Sequence, residues 1–319
     1  MNVADHYLVT GGAGFIGSNL VKALLEQSHK VRVLDNFSTG KRENIIQFDE
    51  KKNFELIEGD LRSSHIVRSA MKNVDFVLHQ GALPSVPRSI HDPITTNDVN
   101  ISGTLNILDA AKEFKVKRVV FASSSSVYGN NETLPKNEEM NINPISPYAL
   151  TKYSGERYCQ IFYQLYGLET VCLRYFNVFG PNQNPNSEYS AVIPKFINLM
   201  QSKKIPVIYG DGNQSRDFTY IENVINANLL ACHANLVAGH VFNIASGERY
   251  SLLALIEKVN KILATNVSPT FEPPRTGDVE HSLADIRKAK EMLNYEPKVK
   301  FEDGLYKLVD HLNRQQSNG

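Results

Sequence analysis

The chain has 319 residues, 42% of them hydrophobic, enough to bury the core of one large domain or two modest ones. Its 34 Lys and Arg balance 34 Asp and Glu, so no overall field draws it to nucleic acid or to an acidic membrane surface, and an anionic ligand must be held by local groups. The three cysteines, Cys159, Cys172 and Cys232, are far apart and lack CxxC or His-paired spacing, which makes them buried free thiols rather than disulfide partners or metal ligands. The start, MNVADHYLVTGG, enters a structured pattern without an export signal, and no apolar run approaches a membrane span; a cytoplasmic location is expected.

In chain order, short β-branched runs alternate with amphipathic stretches. HYLVT reads as a strand and residues 19–27 as a helix; KVRVLD, FELIEGD, VDFVLHQ and KRVVFASS read as further strands. Runs that are apolar at consecutive positions suit parallel strands covered on both faces, so an α/β fold with a doubly wound parallel sheet is expected. Helices are expected at Ile101–Phe114 and at Tyr148–Tyr166, the second capped by Ser146 with Pro147 in its first turn. A strand, ETVCLRYF, follows. The loop NVFGPNQNPN then marks a boundary between a dinucleotide-binding half, 1–176, and a smaller mixed α/β half, 177–319, with segments crossing back to the main sheet.

VTGGAGFIGS lies between the first strand and the first helix and satisfies two spacings, Gly12-x-Gly14-x-x-Gly17 and Gly11-x-x-Gly14-x-x-Gly17. A turn without side chains lets a pyrophosphate reach the free backbone donors of a helix amino terminus. Asp35, ending the second strand, is placed to accept from both hydroxyls of an adenosine ribose and would repel a ribose phosphate, which favours NAD over NADP; Lys41 and Arg42 nearby work the other way. Asp60 ends the third strand, either facing the adenine or serving as an exposed turn acid. Tyr148 and Lys152 stand one helical turn apart on one face. A phenol loses its proton near pH 10, so a tyrosine base needs positive charge, here from the Lys152 ammonium and a nicotinamide cation.

With these residues in view the chain resembles the extended short-chain dehydrogenases/reductases, the group that includes nucleotide-sugar epimerases and dehydratases. The likeness runs through VTGGAGFIGS, LDNFSTG, GDLR, HQGAL, SSSVYG, YALTK, LRYFNVFGP, GDGNQSRDFTYIEN and PPRTGDV. It implies that Tyr148 is the acid/base, that Lys152 also holds the nicotinamide ribose, and that Ser124 bonds the hydroxyl being oxidised. The implied NAD site comprises Gly11, Gly14, Phe15, Ile16 and Gly17 at the phosphate loop, with Asp35, Asn36, Ser38, Thr39, Gly40, Asp60 and Leu61 around the adenosine. Gln80, Gly81, Ala82, Asn100 and Tyr175 complete it with Tyr148 and Lys152. For a UDP-sugar the resemblance implies Arg216 and Arg275 on the diphosphate, assisted by Asn177, with Tyr209 against the uracil and Asp278 on the uridine ribose. Val192, Ser85 and the Ser124–Ser126 run belong to the same implied substrate set, and a homodimer pairing the two long helices is expected.

Within that group, dehydratases carry Asp-Glu at the positions of Ser125 and Ser126, and decarboxylases a glutamate at that of Ser126. Hydroxyls are poor acids and bases at pH 7, so elimination lacks its proton carrier and a C4 epimerase is expected; a lyase and a non-catalytic NAD-binding regulator are the competing expectations. Ser282 stands where a bulky residue confines the sugar pocket in relatives limited to UDP-glucose and UDP-galactose. A small side chain there leaves room for a 2-acetamido group. Uronates stay open, since His91, Arg88 or Lys195 can meet a carboxylate.

Overall fold

The computed structural model describes residues 4–184, 192–274 and 280–317. Seven strands form one sheet: β1 (His6–Thr10), β2 (Lys30–Asp35), β3 (Phe54–Glu58), β4 (Phe76–His79), β5 (Arg118–Ser124), β6 (Thr170–Tyr175) and, beyond four two- or three-residue strands, β11 (Val241–Ile244). Those short strands are β7 (Val178–Phe179), β8 (Val207–Tyr209), β9 (Ser215–Arg216) and β10 (Thr219–Tyr220). The sheet order is β11-β6-β5-β4-β1-β2-β3 and every pairing is parallel. This is the doubly wound arrangement expected from the apolar runs. Alternate residues explain them: Val120 and Ala122 of β5 enter one core layer, Val119 and Phe121 the other, so both faces are buried.

Helices α1 (Phe15–Glu26), α2 (Ser64–Ala70), α3 (Val86–His91), α4 (Pro93–Asn97), α5 (Gly103–Glu113) and α6 (Pro147–Tyr166) belong to this half. The first begins four residues before the expected Asn19, because the glycines of its first turn hide the apolar period. The expected Ile101–Phe114 helix is α5 entered through a π-turn at Asp98–Ser102. That turn aims the buried Asn100 amide at the Leu83 backbone, 2.7 Å from its N–H, and at Thr151 Oγ1, 3.0 Å away. Helix α6 starts as expected, with Ser146 Oγ accepting from Ala149 N and Pro147 in its first turn.

The second half contributes α7 (Val192–Gln201) and α8 (Ile221–His233), then helices at Leu252–Leu263, Arg287–Leu293 and Phe301–Ser317. Segment 221–244 returns to the main body, α8 packing on α1 and β5, and β11 adding to the sheet beside β6. Among the described residues no helix is long and apolar enough to cross a membrane.

The order of the sheet reverses between β1 and β4, the crevice where doubly wound folds take their ligands. Helix α6 lies close on β5 there because Gly155 has no side chain: a Cβ would sit 2.3 Å from Phe121 Cζ. Gly155→Ala is expected to push α6 off the strand, costing about 1–3 kcal/mol of stability by overpacking. Urea unfolding checks it; unchanged stability would contradict the packing argument.

Candidate functional site

A cavity of about 580 Å³ opens at the crevice. Gly11, Gly14 and Gly17 line it, whereas Gly12 turns inward, where a Cβ would meet Val33 at 2.6 Å; the working spacing is therefore Gly11-x-x-Gly14-x-x-Gly17. Gly11 has φ +66°, and its Cβ would strike Gly81 Cα at 2.7 Å, so the β1 and β4 turns touch backbone to backbone. A Cβ on Gly14 would have only Gly11 O, at 3.2 Å, within reach. Helix α1 has no side-chain cap and no acid in its first turn, which leaves the N–H groups at Phe15, Ile16 and Gly17 for a ligand's phosphates.

Asp35, buried, accepts from Ala13 N through Oδ2 and from Phe37 N through Oδ1, each at 2.8 Å, and each oxygen keeps capacity for a ribose hydroxyl. Burial pushes its carboxyl above the ordinary value against those hydrogen bonds. Arg42 stacks 4.4 Å from the Phe37 centroid and pairs with Glu58 at 2.5 Å, so its guanidinium is engaged away from a ribose phosphate; Lys41 remains on the cavity wall. Asp60 lies on the wall with Asn36 and Leu61, held down to about 2 by its hydrogen bonds to Arg62. Ser38, Thr39, Gln80, Gly81, Ala82, Ser85, Tyr148, Lys152 and Tyr175 also line the cavity. The cradle that side chains would fill, the uncapped helix and the doubly accepting Asp35 fit NAD.

Two expected NAD contacts stand elsewhere. Gly40 is not on the wall and packs on Ala13, where a Cβ would lie 2.9 Å from the backbone. Asn100 sits behind the wall, its amide already used on Leu83 and Thr151; it positions, since Thr151 Oγ1 in turn donates to Tyr148 O at 2.8 Å. The loop taken as a domain boundary is part of the site. Asn182, Gln183 and Asn184 line the cavity, Asn182 donates to Ser18 Oγ and Asn19 to Pro181 O, each at 3.0 Å. A run of amides directly after a strand end was the signal for it.

At the other end of the cavity, Lys152 Nζ donates to Ala122 O at 2.8 Å and lies 5.2 Å from the Phe121 and 5.9 Å from the Tyr148 ring centroid. Burial lowers its pKa to about 8 while Glu156 opposes the shift. Tyr148 differs from expectation. Burial raises its pKa, a Ser124 hydrogen bond works against that, and Lys152 stands over the ring rather than at the hydroxyl, so the chain by itself holds a phenol. His79, behind Lys152, bonds Thr10 Oγ1 at 2.7 Å and Thr104 Oγ1 at 3.0 Å and falls to about 3, so it stays neutral.

The serines divide. Ser123, buried, donates to Glu156 and also lines the cavity; Ser124 Oγ accepts from Ser126 N at 3.2 Å; Ser126 Oγ is buried with no hydrogen-bond partner among the described residues. Ser124, Ser125 and Ser126 form the strand end and 3-10 turn beside α6, and none of the three lines either cavity. The cavity's carboxylates are Asp35 and Asp60 alone among the described residues. Asp35 ends β2 and Asp60 stands two residues beyond the end of β3, at least three strand positions from β5, on the order of 14 Å from the Tyr148 end.

A second cavity, about 280 Å³, gathers Asn177, Val192, Tyr209 and Arg216 with Lys195, expected only as a carboxylate partner, and with Gln214 and Phe218, which the sequence reading missed. Asn177 has φ +35° and Ser85 φ +98°, strained conformations at two expected contacts. Ser282 is half-buried, its N–H bonded to Ser215 O at 2.9 Å, outside the residues lining either cavity. Arg275 and Asp278 lie outside the described residues.

Asp217, also missed, ties this region together. Its fully buried carboxylate accepts from Ser246 N and Oγ, Gly247 N and Ala284 N, and its carbonyl accepts from Asn177 Nδ2 at 3.0 Å. Burial nevertheless pushes its carboxyl up to about 6.

The crevice, its glycine-lined phosphate cradle and the Tyr–Lys helix define a dinucleotide-binding protein of the doubly wound α/β class. The family model described as "NAD dependent epimerase/dehydratase family" matches residues 7–245. The chain belongs to the NAD-dependent epimerase/dehydratase family. It is similar over its length to a UDP-N-acetylglucosamine 4-epimerase from Methanobrevibacter ruminantium, solved with UDP-N-acetylmuramic acid, at 41% identity and a TM-score of 0.93, with 98% of this chain and 100% of that one covered. It is 34% identical to the UDP-glucose 4-epimerase of Mycolicibacterium smegmatis over 95% of this chain and 97% of the other. A UDP-glucuronic acid 4-epimerase from Bacillus cereus, solved with UDP-glucuronic acid and NAD, shares 34% identity at a TM-score of 0.90, covering 97% and 99%.

The raised value at Asp217 sets a pH dependence. An unfolded aspartate titrates near 3.9, so between about pH 4 and 6 the native chain keeps a proton the unfolded chain has released. This group's contribution is largest below that window and is lost as pH rises through about 6. The stability difference between the native protein and Asp217→Asn is expected to shrink by about 3 kcal/mol across it, read from urea melts at its two ends. A pH-independent difference would refute the assignment.

Proposed function

We propose that the chain is a UDP-sugar 4-epimerase that interconverts UDP-N-acetylglucosamine and UDP-N-acetylgalactosamine through a transient 4-keto sugar. The observation that carries the reaction class is the absence of a carboxylate from the Tyr148 end of the cavity: among the described residues its acids are Asp35 and Asp60, at the opposite side of the sheet. Dehydration or decarboxylation of a 4-keto sugar calls for a further acid or base beside it. Here the groups at hand are a phenol, an ammonium and hydroxyls.

Bound NAD supplies the acceptor and later donor of the C4 hydride and, when oxidised, a positive charge. Tyr148 takes the O4 proton as C4 is oxidised and gives it back as C4 is reduced. Ser124, which stands behind the cavity wall and shares a hydrogen bond with the phenol, is assigned the orientation of O4 on the family resemblance. Lys152, an ammonium below about pH 8, keeps positive charge under the ring throughout. Reduction from the opposite face requires the keto sugar to turn while the nucleotide stays fixed. Arg216 and Asn177 suit the diphosphate, and Tyr209 the uracil face, around the second cavity. Arg275 and Asp278, outside the described residues, are assigned to the diphosphate and the uridine ribose on the family resemblance alone.

The acetylated sugars are supported by the resemblance, since Ser282, although it lines neither cavity, stands where relatives limited to UDP-glucose and UDP-galactose carry a bulky residue, and by the M. ruminantium enzyme, which bears the corresponding name. A second reading, UDP-glucuronate 4-epimerisation, draws on Arg88 of the first cavity and Lys195 of the second as carboxylate partners. A homodimer through α6 is part of the proposal, on the strength of Leu150, Ile161 and Leu165, which are 53%, 36% and 69% exposed.

Incubation with UDP-N-acetylglucosamine, UDP-glucose and UDP-glucuronate, read by product stereochemistry and mass, tests the whole. The acetylated pair should turn over fastest with unchanged mass; a faster non-acetylated or uronate pair overturns the sugar assignment, and loss of water or carbon dioxide overturns the reaction class. Ser282→Tyr should depress the acetylated reaction at least tenfold more than the non-acetylated one, the order of a steric exclusion worth about 1.4 kcal/mol. Tyr148→Phe should abolish turnover while NAD affinity, by calorimetry, is retained.

A further inference from the structure

Behind the Tyr–Lys pair the structure carries a charged group that the proposed reaction does not use. Tyr148, Lys152 and Glu156 occupy successive turns of α6, so their side chains form one row. The row meets three consecutive residues at the end of β5: Tyr148 shares a hydrogen bond with Ser124, Lys152 donates to Ala122 O, and Glu156 accepts from Ser123 Oγ. Glu156 is 2% exposed. Arg174 Nε and Nη2 each reach its carboxylate at 2.8 Å, and Arg174 Nη1 donates to Tyr128 OH at 2.9 Å.

We propose that Glu156 is a positioning residue that acts through Lys152: its carboxylate, fixed by Arg174 and Ser123, holds the lysine as a cation and keeps α6 in register with Ser124. The inference rests on the Tyr–Lys reading given above. The surroundings single Glu156 out. His79 from β4 is neutral, held down to about 3 by burial, and Tyr128 from the turn after β5 is pushed up to about 12. Burial likewise raises Tyr175 and Cys172 of β6, so neither carries charge near neutrality. Cys159 of α6 is a buried thiol. On the other elements packed on α6, Arg88 and His91 of α3, Asp98 of the π-turn and Asp109 and Lys112 of α5 reach solvent, and Arg118, buried at the far start of β5, is paired with Glu169. Glu156 and Arg174 are therefore the buried charges beside Lys152, and Glu156 is the one that acts on its titration.

Three variants separate charge from shape. Glu156→Gln removes the charge and keeps the volume; Glu156→Gln with Arg174→Met removes it without stranding the guanidinium, should the single variant fold poorly. Ser123→Ala removes the strand contact and leaves the ion pair. In protein carrying lysine isotopically labelled at Cε and no added cofactor, NMR titration of Lys152, assigned with Lys152→Met, should move down by on the order of one pH unit in both Glu156 variants. The alkaline limb of the kcat profile should move with it. Ser123→Ala should lower kcat a few-fold and leave both midpoints in place. Unmoved midpoints in a folded Glu156 variant, or an equal displacement in Ser123→Ala, overturn the proposal. Absence of turnover in the native protein would instead count against the epimerase reading, with the Lys152 titration still readable.

Discussion

The contact on which the rest depends is the close approach of α6 to the end of β5. Gly155 brings the helix against the Phe121 ring, and from that distance the side chains one row along reach the strand's backbone and hydroxyls. A strand end exposes carbonyls that a sheet no longer satisfies, and one of them, Ala122 O, becomes the seat of the Lys152 ammonium. Tyr148 is fixed from the other side too, since its N–H donates to Ser89 Oγ of α3 at 3.0 Å. The geometry of the reactive pair is thus a property of packing between two regular elements rather than of a loop, which is the condition for holding reacting groups within a fraction of an ångström.

Buried charge recurs around the site and is handled differently each time. The Glu156–Arg174 pair is closed: the carboxylate takes two guanidinium N–H groups and a hydroxyl, and the remaining guanidinium donor finds Tyr128. Such a pair adds little net stability over an apolar one of equal volume, so its interest lies in where it places charge. Among the described residues Lys152 has no direct carboxylate partner, only a carbonyl and two rings, and its depressed value follows. Asp217 is the reverse case, a carboxylate given four donors and, among the described residues, no cation, whose hydrogen bonds do not offset its burial. It gathers segments around Arg216, Ser246 and Ala284, so the second cavity is organised from one buried oxygen pair.

What the sequence made legible is what depends on neighbours in the chain. The parallel sheet follows from apolar runs, α6 from Ser146, Pro147 and its period, and the phosphate cradle from glycines within seven positions of one another. The choice between Gly11 and Gly12 was not legible, because it turns on Val33, more than twenty positions away. Asn100 looked like a ligand contact and proves to be a clamp for the same reason: the π-turn that aims it at Leu83 leaves no compositional mark. Asp217, Glu156 with Arg174, and the Asn182 strap escaped because their partners lie 18 to 164 positions off in sequence. A polar residue inside a motif announces that it matters. It does not say whether it faces the ligand or the wall behind it.

The same distinction governs Tyr148. Spacing alone invites the inference that an ammonium four residues away ionises the phenol, and in the fold the ammonium is present but turned to Ala122 O and set beneath the ring. A cation 5.9 Å from a ring centroid is attracted to the aromatic face, which does not require the hydroxyl to lose its proton. Burial then dominates, and Tyr148 rests as a phenol whose hydroxyl is bonded to Ser124. Among the described residues none supplies positive charge at the hydroxyl side of the ring, so in the proposed reaction the base forms only in a filled site. With Tyr148 as the proposed proton carrier, a phenol kept protonated until the cavity is occupied leaves no phenolate to present to water beforehand. In this fold that property follows from three ordinary facts: a buried ring, a lysine turned to a carbonyl, and a strand end that carries serines where an acid would have supplied a second route for protons.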